Sequence, residues 1–406
     1  MPPFEVSSLA MDFFSPEIRR NPFPVYDQLR AAAPLLHEPR FDAWMIFGYE
    51  DARRAMTDHE RFSSSMFTAG RANPDWMIFL DPPRQAKLRS LISRVFTPKA
   101  IAALEPRIRE LSRQLLNPLI ARGQIDVAAE YATPLPMIVI SEMVGVPAAE
   151  WERFRRWSDV FLKLSHTISA GSAASAAAAE YFAAKAEMSA YMAALIAERR
   201  AQPKHDLLSR LVEAEVDGER LTEQEVVGFV ELLIIAGQET TSNLIGNSIL
   251  CFAENPDQLA RLRESPELMP RAIEEVLRFR SPVQWIFRAT KCDVEMRGQT
   301  IPAGKLVLPM IGSANRDPLV FPEPHRFDVA REPNPHIAFG HGIHFCLGAP
   351  LARLEASIAL PDLLARLGHF ELASDEPWQP RAALHVLGPT SLKIRFEPAA
   401  RVPIPA

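Results

Sequence analysis

Cys346 stands in the run Phe339-Gly340-His341-Gly342-Ile343-His344-Phe345-Cys346-Leu347-Gly348-Ala349-Pro350. A lone cysteine among glycines and apolar residues is by default an inert core thiol. Here a helix is expected to begin just after it, since Pro350 is tolerated in a first turn. The N–H groups at a helix start favour an anion, so this position favours a thiolate. A single thiolate with no second protein ligand nearby suits a haem iron better than zinc. The same run contains GxGxxF, which mimics a dinucleotide fingerprint. No βαβ unit or later acidic residue supports that reading, and it is rejected.

A second constellation interrupts an apolar helix. Thr222-Glu223-Gln224-Glu225 fits a capping box with Thr222 as N-cap, and Asn255-Pro256 should stop the helix at about Glu254. The span is about 48 Å at 1.5 Å per residue. Val226, Val227, Phe229, Val230, Leu232, Leu233, Ile234 and Ile235 make this helix apolar nearly all round, as a central helix should be. Its middle nevertheless reads Ala236-Gly237-Gln238-Glu239-Thr240-Thr241-Ser242-Asn243. A helical glycine costs about 0.5–1 kcal/mol and a buried carboxylate far more unless paired. A solvent-exposed stripe would explain this, but the apolar flanks favour a functional break. Small residues there would let a group approach the backbone, while Glu239 and Thr240 handle protons.

Two weaker signals complete the set. Glu275 and Arg278 form an i, i+3 pair, which by itself is an ordinary surface contact worth a few tenths of a kcal/mol. Arg89, Arg288 and His344 lie near apolar turns; individually each reads as a surface charge, and together they could hold an anionic cofactor edge.

The elements that must position these residues are mainly helical. Residues 100–255 carry apolar residues at i, i+3 and i+4. Strand-like segments fall near 34–50, 291–310 and 380–397, the second with a Gly298 turn that suggests a short hairpin. Residues 314–346 are proline-rich and irregular, a length of loop that is usually functional. A helix follows over roughly 350–367. The small-residue stretch 166–180 reads as a loop leading into an alanine-rich helix, or as a mobile lid.

Composition narrows the classes. The chain has 406 residues, 45 basic and 50 acidic side chains and a net charge of -5, which argues against a nucleic-acid face. Apolar residues at 48% and charged ones at 23% are ordinary globular usage. Length alone suggests two to three domains, yet no linker-like break in composition is visible. Cys251, Cys292 and Cys346 are too few and scattered for a disulfide framework, which points to a reducing compartment. No secretory signal and no transmembrane stretch is visible, so a cytoplasmic location is expected.

Taken in order, these segments resemble the soluble bacterial cytochrome P450 family. AGQETT is similar to its central-helix signature, EVLR to its ExxR pair, FGHGIHFCLGAPLAR to its cysteine-ligand loop and PEPHRF to its meander. ANRDP and DPPRQAKLRSLISRVFTP are also characteristic. The resemblance implies one mainly α P450 domain over residues 1–406, with a large helical and a small β-rich part. It implies haem b as cofactor and Cys346 as its proximal thiolate, with Phe339 beside the sulfur. Gly340 and Gly348 would let the loop turn close to the porphyrin, and Ala236 would lie against it. Arg89, Arg288 and His344 become propionate partners; Gln85 stands where the family often has histidine. Glu275, Arg278 and Arg326 become a buried acid–arginine–arginine core, with Arg331 a weaker candidate for the third place.

The implied reaction inserts one oxygen atom of O2 into an apolar small molecule, by hydroxylation or epoxidation. Thr240 would hydrogen-bond the activated oxygen and Glu239, where many relatives carry aspartate, would relay protons. The pocket walls would come from Phe67, Trp76, Met77 and Ile78, from Leu233, from Val283, Trp285 and Ile286, and from Val386 and Leu387. Electrons would come from a separate ferredoxin or flavodoxin and its NAD(P)H reductase, docking on Arg84, Lys87 and Arg94, and the protein would be a monomer. A peroxide-driven peroxygenase is the alternative enzyme, disfavoured by the Glu239-Thr240 pair, and a haem sensor is the non-enzymatic one.

Overall fold

Prolines open many of the helices, which accounts for their abundance. Pro16, Pro24, Pro98, Pro106, Pro134, Pro256, Pro270 and Pro350 all occupy a first helical turn. There the missing N–H is no loss, because that donor has no partner inside the helix. The computed structural model describes residues 15–39, 42–65, 76–167, 172–373, 377–381, 383 and 385–398. The fold is mainly helical with a small β part. Among the described residues no helix is long and apolar enough to cross a membrane.

The chain forms two compact units: residues 1–68, 243–346 and 370–395 in the first, and 69–242, 347–369 and 396–406 in the second. The first unit holds a five-stranded sheet in the order Leu35–Glu38, Ala43–Ile46, Leu306–Pro309, Arg288–Thr290, Phe62–Ser63. Leu306–Pro309 runs parallel to Ala43–Ile46, with Val307 opposite Trp44. Side chains alternate across the sheet as a period of two demands. Ala43, Met45, Phe47 and Leu308 pack with Phe23, Tyr26 and Leu29. Leu35, Ile46 and Val307 pack with Phe62, Val294, Ile301 and Phe321. The hairpin expected around Gly298 pairs Val294–Met296 with Gln299–Ile301, and Arg297 and Gly298 supply its left-handed turn.

The second unit is a helical assembly. It contains Arg84–Val95, Glu105–Ile120, Pro134–Val144, Trp151–Thr167, Ser172–Ala201, Leu207–Glu213 and Ala349–Arg366. Its core gathers Leu88, Leu91, Ile92, Trp157, Met188, Ile196, Leu208 and Val230. The long helix runs Glu223–Glu254, counting with the second unit to Ser242 and with the first from Asn243. Its expected capping box is complete. Glu225 N–H donates to Thr222 Oγ1 at 3.2 Å, and Thr222 N–H donates to Glu225 Oε2 at 2.9 Å. The loop expected over 166–180 is shorter than the sequence suggests, since helix runs to Thr167 and resumes at Ser172. Residues 168–171, where a lid would bend, lie outside the described residues.

Candidate active site

In the first unit, the segment from Phe339 to Cys346 turns on glycines. Gly340 and Gly342 have φ of 72° and 74°, left-handed values that side chains rarely adopt. A Cβ on Gly342 would also press on the Met56 carbonyl oxygen at 3.2 Å. Gly348 caps the helix Ala349–Arg366 at φ -79° and so is not required by a left-handed turn. Cys346 N–H donates to the Phe339 carbonyl at 2.9 Å, closing the turn, and His344 ends a short 3-10 turn just before the cysteine. Cys346 and Phe339 are half-buried. The other two thiols offer no comparable setting. Burial pushes Cys251 up to about 12, and Cys292 is exposed outside any such turn.

Behind this segment lies a fully bonded ionic cluster. Glu275 and Arg278 are both 0% exposed, so the surface-pair reading fails. Arg278 Nε and Nη2 grip Glu275 at 2.7 and 2.8 Å, and its remaining N–H groups reach the carbonyls of Asn315, Pro324 and Arg326. The third member is not Arg326, whose exposed guanidinium pairs with Glu323. Arg331 takes that place, its Nε 3.0 Å from Glu275 Oε1 and its Nη atoms on the carbonyls of Pro322, Glu323 and Arg326. Arg326 contributes its main-chain oxygen alone. The acid also accepts from Asp328 N–H and Asn334 Nδ2, so its buried charge is well compensated. Sequence reasoning missed Asn334 and Asn315; the latter orders the loop by accepting from Ile337 N–H at 2.8 Å.

Arg288 is buried in the strand Arg288–Thr290, where Nη1 donates to the Phe287 carbonyl at 2.8 Å. The residues expected as walls in this unit come together around the segment after Arg278. Val283 bridges Val386, Leu387 N–H donates to the Pro282 carbonyl, and Trp285 meets the His385 ring edge-on. Asn247 on the long helix fixes this turn by donating to the carbonyls of Leu387 and Arg280, a contact nothing in the sequence signalled. Leu387 is a core residue, whereas Val283, Trp285 and Ile286 keep accessible surface.

In the second unit, the polar stretch of the long helix is not a solvent stripe. Gln238, Glu239, Thr241 and Ser242 are buried, with Gln238 bonded to Ser158 and Ser242 to Thr133. Between Val226 and Phe252 accessible surface is confined to Leu233, Ile235, Ala236, Gly237 and Thr240. Positions 233, 236, 237 and 240 share one helical face. Thr240 Oγ1 donates to the Ala236 carbonyl at 2.6 Å, the back-bond open to a helical threonine. Gln85 and Arg89 lie one turn apart on Arg84–Val95, the first buried and the second half-buried. Trp76 stacks on Phe79 at 5.4 Å, Met77 belongs to the core and Ile78 is exposed; Phe67 lies outside the described residues.

The basic patch expected on Arg84, Lys87 and Arg94 is already engaged. Arg84 pairs with Glu225 and Glu219, Lys87 with Glu219, and Arg94 Nη1 donates to the Glu215 carbonyl. Glu215 and Glu219 come from the hairpin Glu215–Val216 and Glu219–Arg220, turned by Asp217 and Gly218, both left-handed, and Glu225 from the first turn of the long helix.

Among the described residues no group of three or more His, Cys, Asp or Glu is gathered to hold a metal ion. Cys346 is therefore a single sulfur donor on a glycine-turned loop, which suits a metal that brings its own equatorial ligands, as haem iron does. Comparison with known proteins agrees. A family model described as Cytochrome P450 matches residues 174–396. Cytochrome P450 109 of Bacillus spizizenii is 39% identical over 386 residues, covering 95% of this chain and 94% of that one. Vitamin D(3) 25-hydroxylase of Pseudonocardia autotrophica is 40% identical, covering 89% and 90%. The crystal structure of CYP109E1 from Bacillus megaterium in complex with corticosterone superposes with a TM-score of 0.86 at 38% identity, over 94% of this chain and 99% of that one. The chain belongs to the cytochrome P450 family and is a haem b monooxygenase acting on a small molecule, with O2 and electrons from a redox partner.

Proposed function

We propose that this monooxygenase hydroxylates or epoxidises an apolar substrate over the face of the long helix that bears Leu233, Ala236, Gly237 and Thr240. The observation that carries this reading is that, between Val226 and Phe252, four of the five positions with accessible surface, all but Ile235, fall on that face of an otherwise buried helix. Haem b, when bound to Cys346, supplies the iron at which O2 is reduced. Because the Thr240 hydroxyl gives its proton to the Ala236 carbonyl, its oxygen is left to accept a hydrogen bond from the reacting oxygen. Buried Glu239, next in sequence, passes protons inward. Arg89, Arg288 and His344 hold the propionates, Gln85 supporting by its amide. Phe339 and Gly340 shape the sulfur side, and the Glu275–Arg278–Arg331 cluster braces the segment behind it. Trp76, Ile78 and Leu233 of the second unit, and Val283, Trp285 and Ile286 of the first, are the residues proposed to meet substrate, with Met77, Val386 and Leu387 as supporting neighbours within their own units. A polycyclic substrate is supported by the names of the relatives above. Electrons arrive from a ferredoxin or flavodoxin with its NAD(P)H reductase, and the protein works as a cytoplasmic monomer built as one domain.

The test joins two measurements. The reduced, CO-bound protein should show the strongly red-shifted Soret band of thiolate ligation, and Cys346→His should abolish it. Thr240→Ala should keep the band but lower product formed per O2 consumed about tenfold, the loss expected when one hydrogen bond of about 1.5 kcal/mol to a reacting group is removed. Unchanged coupling would show that another group makes this hydrogen bond. Turnover on peroxide equal to that on reduced partner would favour the peroxygenase.

A further inference from the structure

The segment leading to Cys346 is tied to the helix Met269–Phe279 by a second pair, separate from the acid–arginine cluster. His336 has a side chain only 4% exposed, and its Nε2 lies 2.9 Å from Glu274 Oε2. On the other edge of the ring, Ala338 N–H donates to Nδ1 at 3.3 Å. A backbone amide can only donate, so Nδ1 must accept and the ring proton must sit on Nε2. That proton is given to the Glu274 carboxylate, a charge-assisted bond. The ring is thus oriented from both ends, by a carboxylate and by the main chain.

From Ala338 the restraint continues towards the sulfur. Gly340 N–H donates to the Ile337 carbonyl, and Cys346 N–H to the Phe339 carbonyl, each at 2.9 Å. Adjacent acids of one helix therefore hold successive stretches of chain. Glu275 binds Asp328, Arg331 and Asn334, and Glu274 binds His336.

We propose that His336, oriented by Glu274, is a positioning residue for the thiolate. It fixes the main chain at Ala338 and thereby the Phe339–Cys346 turn that aims Sγ at the iron. The role rests on Cys346 being the haem ligand. Residues that hold a metal ligand in place change metal affinity or activity by about 10–100-fold when lost, and His336 acts on Cys346 in this way through the main chain from Ala338 to Phe339.

Two substitutions separate the ring's edges. In His336→Asn the short amide can place Oδ1 where Nδ1 stands and still accept from Ala338 N–H, while losing Glu274. In His336→Gln the longer amide can reach Glu274 but leaves Ala338 N–H without its acceptor. With the haem-loaded proteins, His336→Gln is expected to show a growing, less red-shifted Soret band in the reduced CO complex. Its haem should transfer to apomyoglobin about tenfold faster. His336→Asn should keep the wild-type band, with Glu274→Gln between the two. Thermal unfolding is measured on all three. A wild-type spectrum and haem-transfer rate in His336→Gln would overturn the proposal. So would equal spectral defects in both His336 variants accompanied by equal losses of Tm, which is what lost ring packing alone would give. Absence of the thiolate band in the wild-type protein would instead remove the Cys346 assignment on which this role stands.

Discussion

Glu355 lies on the helix Ala349–Arg366, nine residues beyond the cysteine, with no accessible surface to speak of and no hydrogen-bond partner for Oε2 among the described residues. Burial raises its carboxyl from 4.5 to about 8. Between those values the folded protein holds a proton that the unfolded chain has released. The sign is therefore opposite to that of a salt-bridged acid: stability is lost as pH rises from 4.5 to about 8 and does not return above it. Glutamine has the shape of the protonated acid and cannot ionise. Glu355→Gln should leave unfolding unchanged at pH near 4 and stabilise by about a few kcal/mol at pH near 8.5. Thermal melts of the haem-loaded protein across that range would show it, and a difference independent of pH would refute the argument. Sequence spacing could not reveal this burial, because one glutamate on a helix is ordinary. The glycine-rich neighbours of Cys346 did single that residue out, whereas Glu275 and Arg278 read by spacing as a surface pair and only the family resemblance pointed to their burial. The resemblance favoured Arg326 over Arg331 for the third place, and the two share an irregular stretch without periodicity to say which side chain turns inward.

At the level of the element, the long helix was the most legible part of the chain. Its cap, length and stop all follow from Thr222, Glu225 and Asn255-Pro256. Gly237 was legible as a place of close approach, and a protein neighbour makes that approach: an added Cβ would collide with Ile140 Cδ1, with Cγ1 at 3.5 Å. Gly237→Ala should gain about 0.5–1 kcal/mol of helix propensity but lose about 1–3 kcal/mol to overpacking. Ile140→Val deletes the clashing methyl and alone costs about 0.5–1.5 kcal/mol. In denaturant unfolding, the double variant should be more stable than the sum of the single changes by about 1 kcal/mol or more. Strict additivity would mean that the helices part at no cost. The Asp217-Gly218 hairpin carried an equally strong signal, since both residues accept left-handed φ, but its strands are two residues each and too short to show alternation. The helices either side of 168–171 show why small-residue composition is a poor guide to loops: alanine is the best helix former.

For the molecule as a whole, a net charge of -5 repels an acidic electron carrier at long range, so docking needs a local cationic face. Arg84, Lys87 and Arg94 would supply one, and the sequence shows them on one helix. What it could not show is that the hairpin brings Glu219 onto both Arg84 and Lys87, contacts that hold the Glu219 carboxyl below its usual value, the Lys87 bond foremost. An acidic partner must therefore compete with the protein's own carboxylate. These ion pairs are largely exposed and screened by solvent, so they yield readily. Glu219→Gln removes the competitor without touching the cations. It should raise the rate of reduction by an acidic ferredoxin at low ionic strength by up to about fivefold, and steepen its decline with added salt. Lys87→Gln should do the reverse. Stopped-flow reduction at several ionic strengths distinguishes the cases. A Glu219→Gln rate equal to or below wild type at every salt concentration would place the docking face elsewhere on the surface.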